Sequence, residues 1–430
     1  LGGLSFDGPG YLLLLGDAPG LGELTTGQIV AASRSSTEGT FNSDNAYGDL
    51  DDDELPEFAV GRVPMRTAAQ ARAYLQKVKA FEAHYEPGVW NRRISLYTGR
   101  AGFSPEIDAA IEMGVMEGLK RANHAFDFIG AYNNPASDFY YQPFDGKVVE
   151  LFNQGNVFVI YVGHGSSQST SGLDASQLDQ IHCGHRLPAS FFFACGNGEY
   201  VGPDDSIAEA VLHKSDGPIV SLGAAGVSHP YGNAVLLYEV MRVLLDLQPA
   251  TFGEGLRQAK HAVIDNDDEF RRLIDGLSLT EVPPEEQALI RYDHVGMYNL
   301  LGDPATRIPW PRGAVVFDAV DDQVAQGTIT VAGRAAGIDQ GSALVTVEVE
   351  RDALLHTLEP VDPENPDTAT VQANWEKAMD KVVDGQTVTV SGGAFSAELS
   401  WTPPLPAGPL YIKVYAENET RDAFGVHLLP

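Results

Sequence analysis

Two stretches decide the reading of this chain: Val157-Phe-Val-Ile-Tyr-Val-Gly-His-Gly-Ser166 and, about thirty residues on, Phe191-Phe-Phe-Ala-Cys-Gly-Asn-Gly198. Each is an unbroken apolar run that stops at a glycine-flanked reactive side chain, His164 in the first and Cys195 in the second. Apolar runs of this length, separated by helical segments, are expected of strands buried on both faces of a parallel sheet. In such a sheet the carboxyl ends of neighbouring strands open into one crevice. An imidazole beside a thiol in that crevice suits nucleophilic catalysis. The imidazolium favours the thiolate, and the same ring can protonate a leaving amine. The glycines allow close backbone approach, and the N–H groups of Gly165 and Cys195 are candidate donors to an oxyanion. Gly163 and Ser166 are placed beside the substrate by the same argument.

Outward from this pair the alternation continues. Apolar strands are expected at 11–15, 58–60, 93–98, 126–129, 156–162, 190–194 and 218–222, and helices at 67–85, 104–123, 146–154, 206–213 and 233–247. Ser104-Pro-Glu106 has the form of a helix start, with a proline at the first helical position and an acidic first turn. After about residue 312 short alternating runs such as Thr387-Val-Thr-Val390 and Leu410-Tyr-Ile-Lys-Val-Tyr415 take over, which predicts a β-sandwich. The expected organisation is therefore an N-terminal α/β segment over 1–88, a catalytic α/β segment over 89–312, and a β-sandwich over 313–430.

Net charge is −31 and is spread over both the α/β part and the β-rich part. Nucleic acid and anionic membranes are thereby disfavoured as partners, because phosphate backbones need Lys and Arg to neutralise them. No run of 18 apolar residues occurs, so no membrane span is expected. Only two cysteines are present, Cys183 and Cys195, which excludes a disulfide framework. In Asp49-Leu-Asp-Asp-Asp-Glu-Leu-Pro-Glu57, the side chains of Asp49, Asp51, Asp53 and Glu57 offer oxygen at short intervals. This pattern suits a calcium ion bound for stability, the reading preferred here to a solvated acidic turn. No organic cofactor is expected.

Tyr161-Val-Gly-His-Gly-Ser166 and Ala194-Cys-Gly-Asn-Gly-Glu-Tyr200 resemble the histidine and cysteine motifs of the gingipain peptidases in the caspase-like clan. Ile207-Ala-Glu-Ala-Val211, Tyr47-Gly-Asp49, Ala59-Val-Gly-Arg62 and Asn299-Leu-Leu-Gly-Asp-Pro304 fall at matching places, so that the resemblance spans roughly 11–312. It implies a caspase-like α/β domain followed by an immunoglobulin-like domain, secretion or surface display, and a cysteine endopeptidase with His164 and Cys195 as its dyad. It also implies a carboxylate that orients the histidine. Glu106 is the candidate, and an acidic helix start explains the same residue without catalysis. Asp108 and Glu112 are candidates to read a basic side chain before the cleaved bond, and His229 to line the pocket. However, Leu222 to Pro230 lacks the tryptophan the resemblance leads one to expect. A peptide or protein is the implied substrate, and a propeptide a further partner. Two other readings stay open: a catalytically silent scaffold or binding protein, and a thiol amidase or transpeptidase.

Overall fold

The computed structural model describes residues 10–18, 24–33, 39–100, 105–279, 281–323 and 327–429, without the side chains of 105–111 and 321–323. Its centre is an eight-stranded sheet. In chain order the strands are β1 (Gly10–Leu15), β4 (Phe58–Val63), β5 (Arg93–Thr98), β6 (Asp127–Tyr132), β7 (Phe158–Val162), β10 (Ala189–Phe193), β11 (Val220–Ala224) and β12 (Tyr298–Leu301). Two ribbons complete the numbering: β2 (Gly27–Val30) with β3 (Thr40–Ser43), and β8 (Gly165–Ser166) with β9 (Ser169–Thr170).

The strands lie in the order β1-β4-β12-β11-β10-β7-β5-β6. All pairings are parallel except β11 with β12. The sheet is thus two parallel blocks meeting at one antiparallel seam. β7, β10 and β11 lie in its middle and are buried almost throughout, as their continuous apolar runs require. β1 is an edge strand whose Tyr11, Leu13 and Leu15 stay exposed.

The helices are α1 (Ala68–Ala83), α2 (Pro105–Arg121), α3 (Phe144–Asn153), the single turn α4 (Ala175–Leu178), α5 (Ile207–His213), α6 (Pro230–Arg242), α7 (Phe252–Asp265), α8 (Glu269–Ser278) and α9 (Pro284–Met297). On one face of the sheet Phe252 of α7 meets Phe158 of β7, and α6 packs against α7, α8 and α9. On the other face Phe144 and Phe152 of α3 meet Tyr97 of β5. Both faces are covered, which is what a parallel sheet needs. A helix was expected to run on to residue 247; α6 instead ends at Arg242 and continues as one π-helical turn, Val243–Leu247.

From Gly313 the chain forms β13 (Gly313–Gln323), β14 (Thr328–Ala335), β15 (Gln340–Val349), α10 (Thr368–Met379), β16 (Val382–Ser391), β17 (Ala394–Ser400), β18 (Leu410–Glu417) and β19 (Asp422–Leu429). The expected immunoglobulin-like β-sandwich is corrected here. A parallel pairing of Gly313 and Ala314 with Ala423 and Phe424 closes the seven strands into one barrel in the order β13-β14-β17-β16-β15-β18-β19. Alternate residues of β14 and β17 point inward, and Ile329, Val331, Ala397 and Leu399 join a separate core inside the barrel. That alternation is common to sandwiches and barrels, so the sequence pattern could not separate them.

Candidate active site

The register of two neighbouring strands builds the site. Phe193 of β10 pairs with Val162 of β7, the last residue of each strand. His164 and Cys195 therefore both stand two residues beyond the last paired position, on adjacent strands that run the same way. Such strands lie about 4.8 Å apart. His164 is exposed and Cys195 half-buried, so both open to solvent at the carboxyl end of the sheet. Cys183, the other thiol, is buried, and burial pushes it up to about 12, which keeps it protonated and inert.

The loop carrying the histidine is fixed from below. The Tyr161 hydroxyl donates to the His164 carbonyl at 2.6 Å and accepts from the Ser171 N–H at 3.2 Å. Gly163 has φ of +152°, and a Cβ there would come within 2.6 Å of that hydroxyl, so only glycine fits. The loop carrying the cysteine is fixed by backbone bonds, from Gly196 N–H to the Gly226 carbonyl at 2.8 Å and from Gly198 N–H to the Ala224 carbonyl at 2.9 Å. A Cβ on Gly198 would meet the Gly223 backbone at 2.6 Å, so the cysteine loop lies flat on the end of β11.

Asn197 joins the two loops. It is fully buried, and its Nδ2 donates to the carbonyls of Ser166 and Ser169 at 2.5 and 3.1 Å. The first turn of α5 adds to the clasp: Ile207 N–H donates to the Ser167 carbonyl and Ala208 N–H to the Asn197 carbonyl. On the other side, Cys195 Sγ lies 3.5 Å from the Ser228 carbonyl and 3.8 Å from the Ser228 hydroxyl. Sequence reasoning gave no role to Asn197, Tyr161 or Ser228. Only Asn197 carried a signal, its place two residues after the cysteine.

The other expected residues are placed as follows. Gly165 and Ser166 pair with Thr170 and Ser169 in the β8/β9 ribbon. Next to Ser228, His229 caps α6, its Nδ1 accepting the Tyr231 N–H at 3.1 Å, and burial pushes its imidazole down so that it stays neutral. Glu112, on α2, accepts a hydrogen bond from the Ser137 hydroxyl in the loop after β6, and burial pushes its carboxyl up. The Glu106 and Asp108 side chains lie outside the described residues.

In the acidic loop Asp49, Asp51 and Glu57 each bring a carboxylate oxygen within 4.8 Å of the others. Positive φ at Asp52 and Glu54 curls the loop around Asp49, whose two oxygens accept the N–H groups of Asp52 and Glu54 at 2.8 and 2.9 Å. Leu50 N–H donates to Glu57 at 2.6 Å. Asp53 does not join the three; its Oδ1 accepts from Leu55 N–H. Three converging carboxylates with no nitrogen or sulfur donor fit a hard cation such as calcium.

A profile of peptidase family C25 matches residues 5–309. In fold the chain is similar to the crystal structure of the Arg-specific cysteine proteinase gingipain R, with 15% identity and a TM-score of 0.50 over 97% of this chain and 83% of that one. A complex of the pro- and mature domains of RgpB from Porphyromonas gingivalis is similar at 16% identity, with a TM-score of 0.49 over 97% and 85%. No curated protein sequence matches. The family profile covers the whole α/β part, both strand-end motifs included, and the chain belongs to peptidase family C25, a family of cysteine peptidases.

Proposed function

We propose that the chain is a cysteine endopeptidase in which Cys195 is the nucleophile and His164 the general acid and base. The observation that carries this is the shared register of β7 and β10, which puts both residues at the same level beyond adjacent parallel strand ends. In the proposed reaction the Cys195 proton passes to His164 and the sulfur attacks the peptide carbonyl carbon. The N–H groups of Gly165 and Cys195 hold the resulting oxyanion. His164 returns the proton to the leaving amine, and a water activated by His164 cleaves the thioester. Glu106 is proposed to orient His164.

Cleavage after Arg or Lys is proposed through Asp108 or Glu112, with Gly163, Ser166 and His229 lining the substrate cleft. A carboxylate suits a basic side chain as a charge-assisted partner. A propeptide as partner and action outside the cell or at its surface belong to the same proposal and rest on family resemblance. Calcium held by Asp49, Asp51 and Glu57 is proposed as a stabilising ion with no part in the chemistry. If it binds there, EDTA lowers the melting temperature and added calcium restores it; an unchanged melting curve removes the ion from the account.

The test of the enzyme is a panel of peptides with Arg, Lys, Asp or Asn before the scissile bond, with and without iodoacetamide. Cleavage that iodoacetamide blocks and that Cys195→Ala abolishes is the expected result. Full activity in Cys195→Ala would sink the mechanism. Wild-type protein that cleaves no peptide would favour a binding scaffold.

A further inference from the structure

A chain of side-chain hydrogen bonds runs from the protein interior to the sulfur of Cys195. Tyr298 opens β12 and is fully buried, and its hydroxyl donates to Asn233 Oδ1 at 2.6 Å. Asn233 Nδ2, on the first turn of α6, donates to the Ser228 hydroxyl at 2.9 Å. The Ser228 hydroxyl in turn lies 3.8 Å from Cys195 Sγ. Side chains from β12, from α6 and from the loop between β11 and α6 thus line up on one atom.

The polarity of this chain is set by the amide. In the orientation present, Tyr298 donates to Asn233 Oδ1 and the amide presents Nδ2 to Ser228. The Ser228 oxygen is then an acceptor on that side, and its own hydrogen has two acceptors in reach, the sulfur and the Tyr298 oxygen. The loop that carries Ser228 has little freedom. His229 N–H donates to His294 Nε2 at 3.0 Å, and the opposite nitrogen of that ring is held by the Ile290 carbonyl at 2.8 Å. Asn233 N–H donates to the His229 carbonyl. Ser228 itself is only 6% exposed, so water does not compete freely for its hydroxyl.

We infer that Ser228, aligned by Asn233 and Tyr298, is a catalytic residue that stabilises the thiolate of Cys195. The two contacts between Ser228 and the sulfur divide between the two protonation states. In the thiol, S–H donates to the Ser228 carbonyl at 3.5 Å. Once that proton has gone to His164, the sulfur has nothing left to donate and carries the charge. The Ser228 O–H then becomes the donor, in a charge-assisted bond that favours the ionised form. The linked donors behind it polarise one another and strengthen the last bond.

The inference rests on Cys195 as the nucleophile, and its test needs no peptide. The rate of Cys195 alkylation by iodoacetamide is measured from pH 4 to 10 in wild type, Ser228→Ala and Tyr298→Phe, with Cys195→Ala as the control for Cys183. Ser228→Ala is expected to move the midpoint of the profile up by about one pH unit, a roughly tenfold slower reaction on its acid side. Tyr298→Phe is expected to move it the same way by less, since the Ser228 hydroxyl and its bond from Asn233 stay in place. An unmoved midpoint in Ser228→Ala with an unchanged melting temperature would overturn the inference. Tyr298→Phe keeps the question answerable if Ser228→Ala folds poorly: no shift there, with the fold intact, also counts against it. Failure of the peptide panel alongside a shifted alkylation profile would remove the endopeptidase reading and leave this one standing.

Discussion

Asn197 has no chemistry of its own but joins the loops of the two residues of the proposed dyad. Its Nδ2 is the hydrogen-bond donor shared by the carbonyls of Ser166 and Ser169, and both belong to the loop that carries His164. Alanine at 197 would remove the donor that both carbonyls share and loosen the histidine loop from the cysteine loop. Because misplacement by about 1 Å can cost about a hundredfold, Asn197→Ala is expected to lower kcat by about 10- to 100-fold. KM and the alkylation of Cys195 should change far less, since the cysteine loop keeps its own bonds to Gly226 and Ala224. Stopped-flow kinetics on a cleaved peptide, set beside the alkylation rate, checks this; equal losses in both would mean that Asn197 supports the whole site rather than the histidine loop. That His164 and Cys195 stand at neighbouring strand ends was legible in the sequence because each ends an apolar run. The clasp was not, because its bonds run to backbone carbonyls, and a carbonyl leaves no mark in a sequence.

The middle strands were read close to their true ends, since burial on both faces forces continuous apolar runs. Elements whose burial partner lies elsewhere were harder. β12 is short and sits between β4 and β11, far from both in sequence, and its Asn299-Leu-Leu stretch signalled a motif rather than a strand. The expected four-carboxylate spacing in the acidic loop failed at Asp53 because positive φ at Asp52 and Glu54 breaks the alternation. α5 carries a further consequence. Its capping box, Ser206 with Glu209, starts the helix whose first amides hold the loops of His164 and Cys195. Burial, with smaller contributions from the nearby Asp205 and Asp17, pushes Glu209 up to about 7, and its Oε1 is buried with no hydrogen-bond partner among the described residues. Between pH 4.5 and 7 the unfolded chain has lost this proton and the folded protein keeps it, so stability from this group falls as pH rises through that window. The total cost above pH 7 is about 3 kcal/mol. Glu209→Gln is therefore expected to gain on the wild type by about that amount between pH 4.5 and 7 in urea titrations. A stability difference that stays constant across the window would contradict it.

At the scale of the whole molecule, the barrel is built into the α/β domain. β6 is the edge strand of the sheet, and α10 of the barrel covers it: Trp375 Nε1 donates to the Gly130 carbonyl at 2.7 Å, and Gly130 N–H reaches Met379 Sδ at 3.3 Å. An exposed edge is a template for aggregation, and this contact removes it. The sequence did not reveal α10 because Val371, Trp375 and Ala378 repeat at helical spacing only briefly, inside a region of alternating strands. At the end of β15, Arg351 reaches further. Its guanidinium donates to the carbonyls of Leu119, Ala122, Asn123 and Phe126, at 3.1, 2.9 and 3.1 Å for the last three, so that a barrel side chain caps the C-terminus of α2. Two of these carbonyls also take a backbone N–H, Leu119 from Ala122 and Asn123 from Phe126, so the guanidinium adds to a turn the backbone has begun to close. α2 is also the helix that bears Glu106, Asp108 and Glu112, which ties the barrel mechanically to the acidic residues proposed to serve the site. Arg351→Met keeps the aliphatic bulk and removes the donors. It is expected to cost about 1–3 kcal/mol, the scale for leaving buried carbonyls without a donor, and to separate one cooperative melting transition into two, the α/β part first. Calorimetry of the variant decides it: a single transition at the wild-type temperature would mean that other contacts, such as Asp422 with Tyr85 and Asn91 or Lys413 with Asp127, suffice to couple barrel and α/β part.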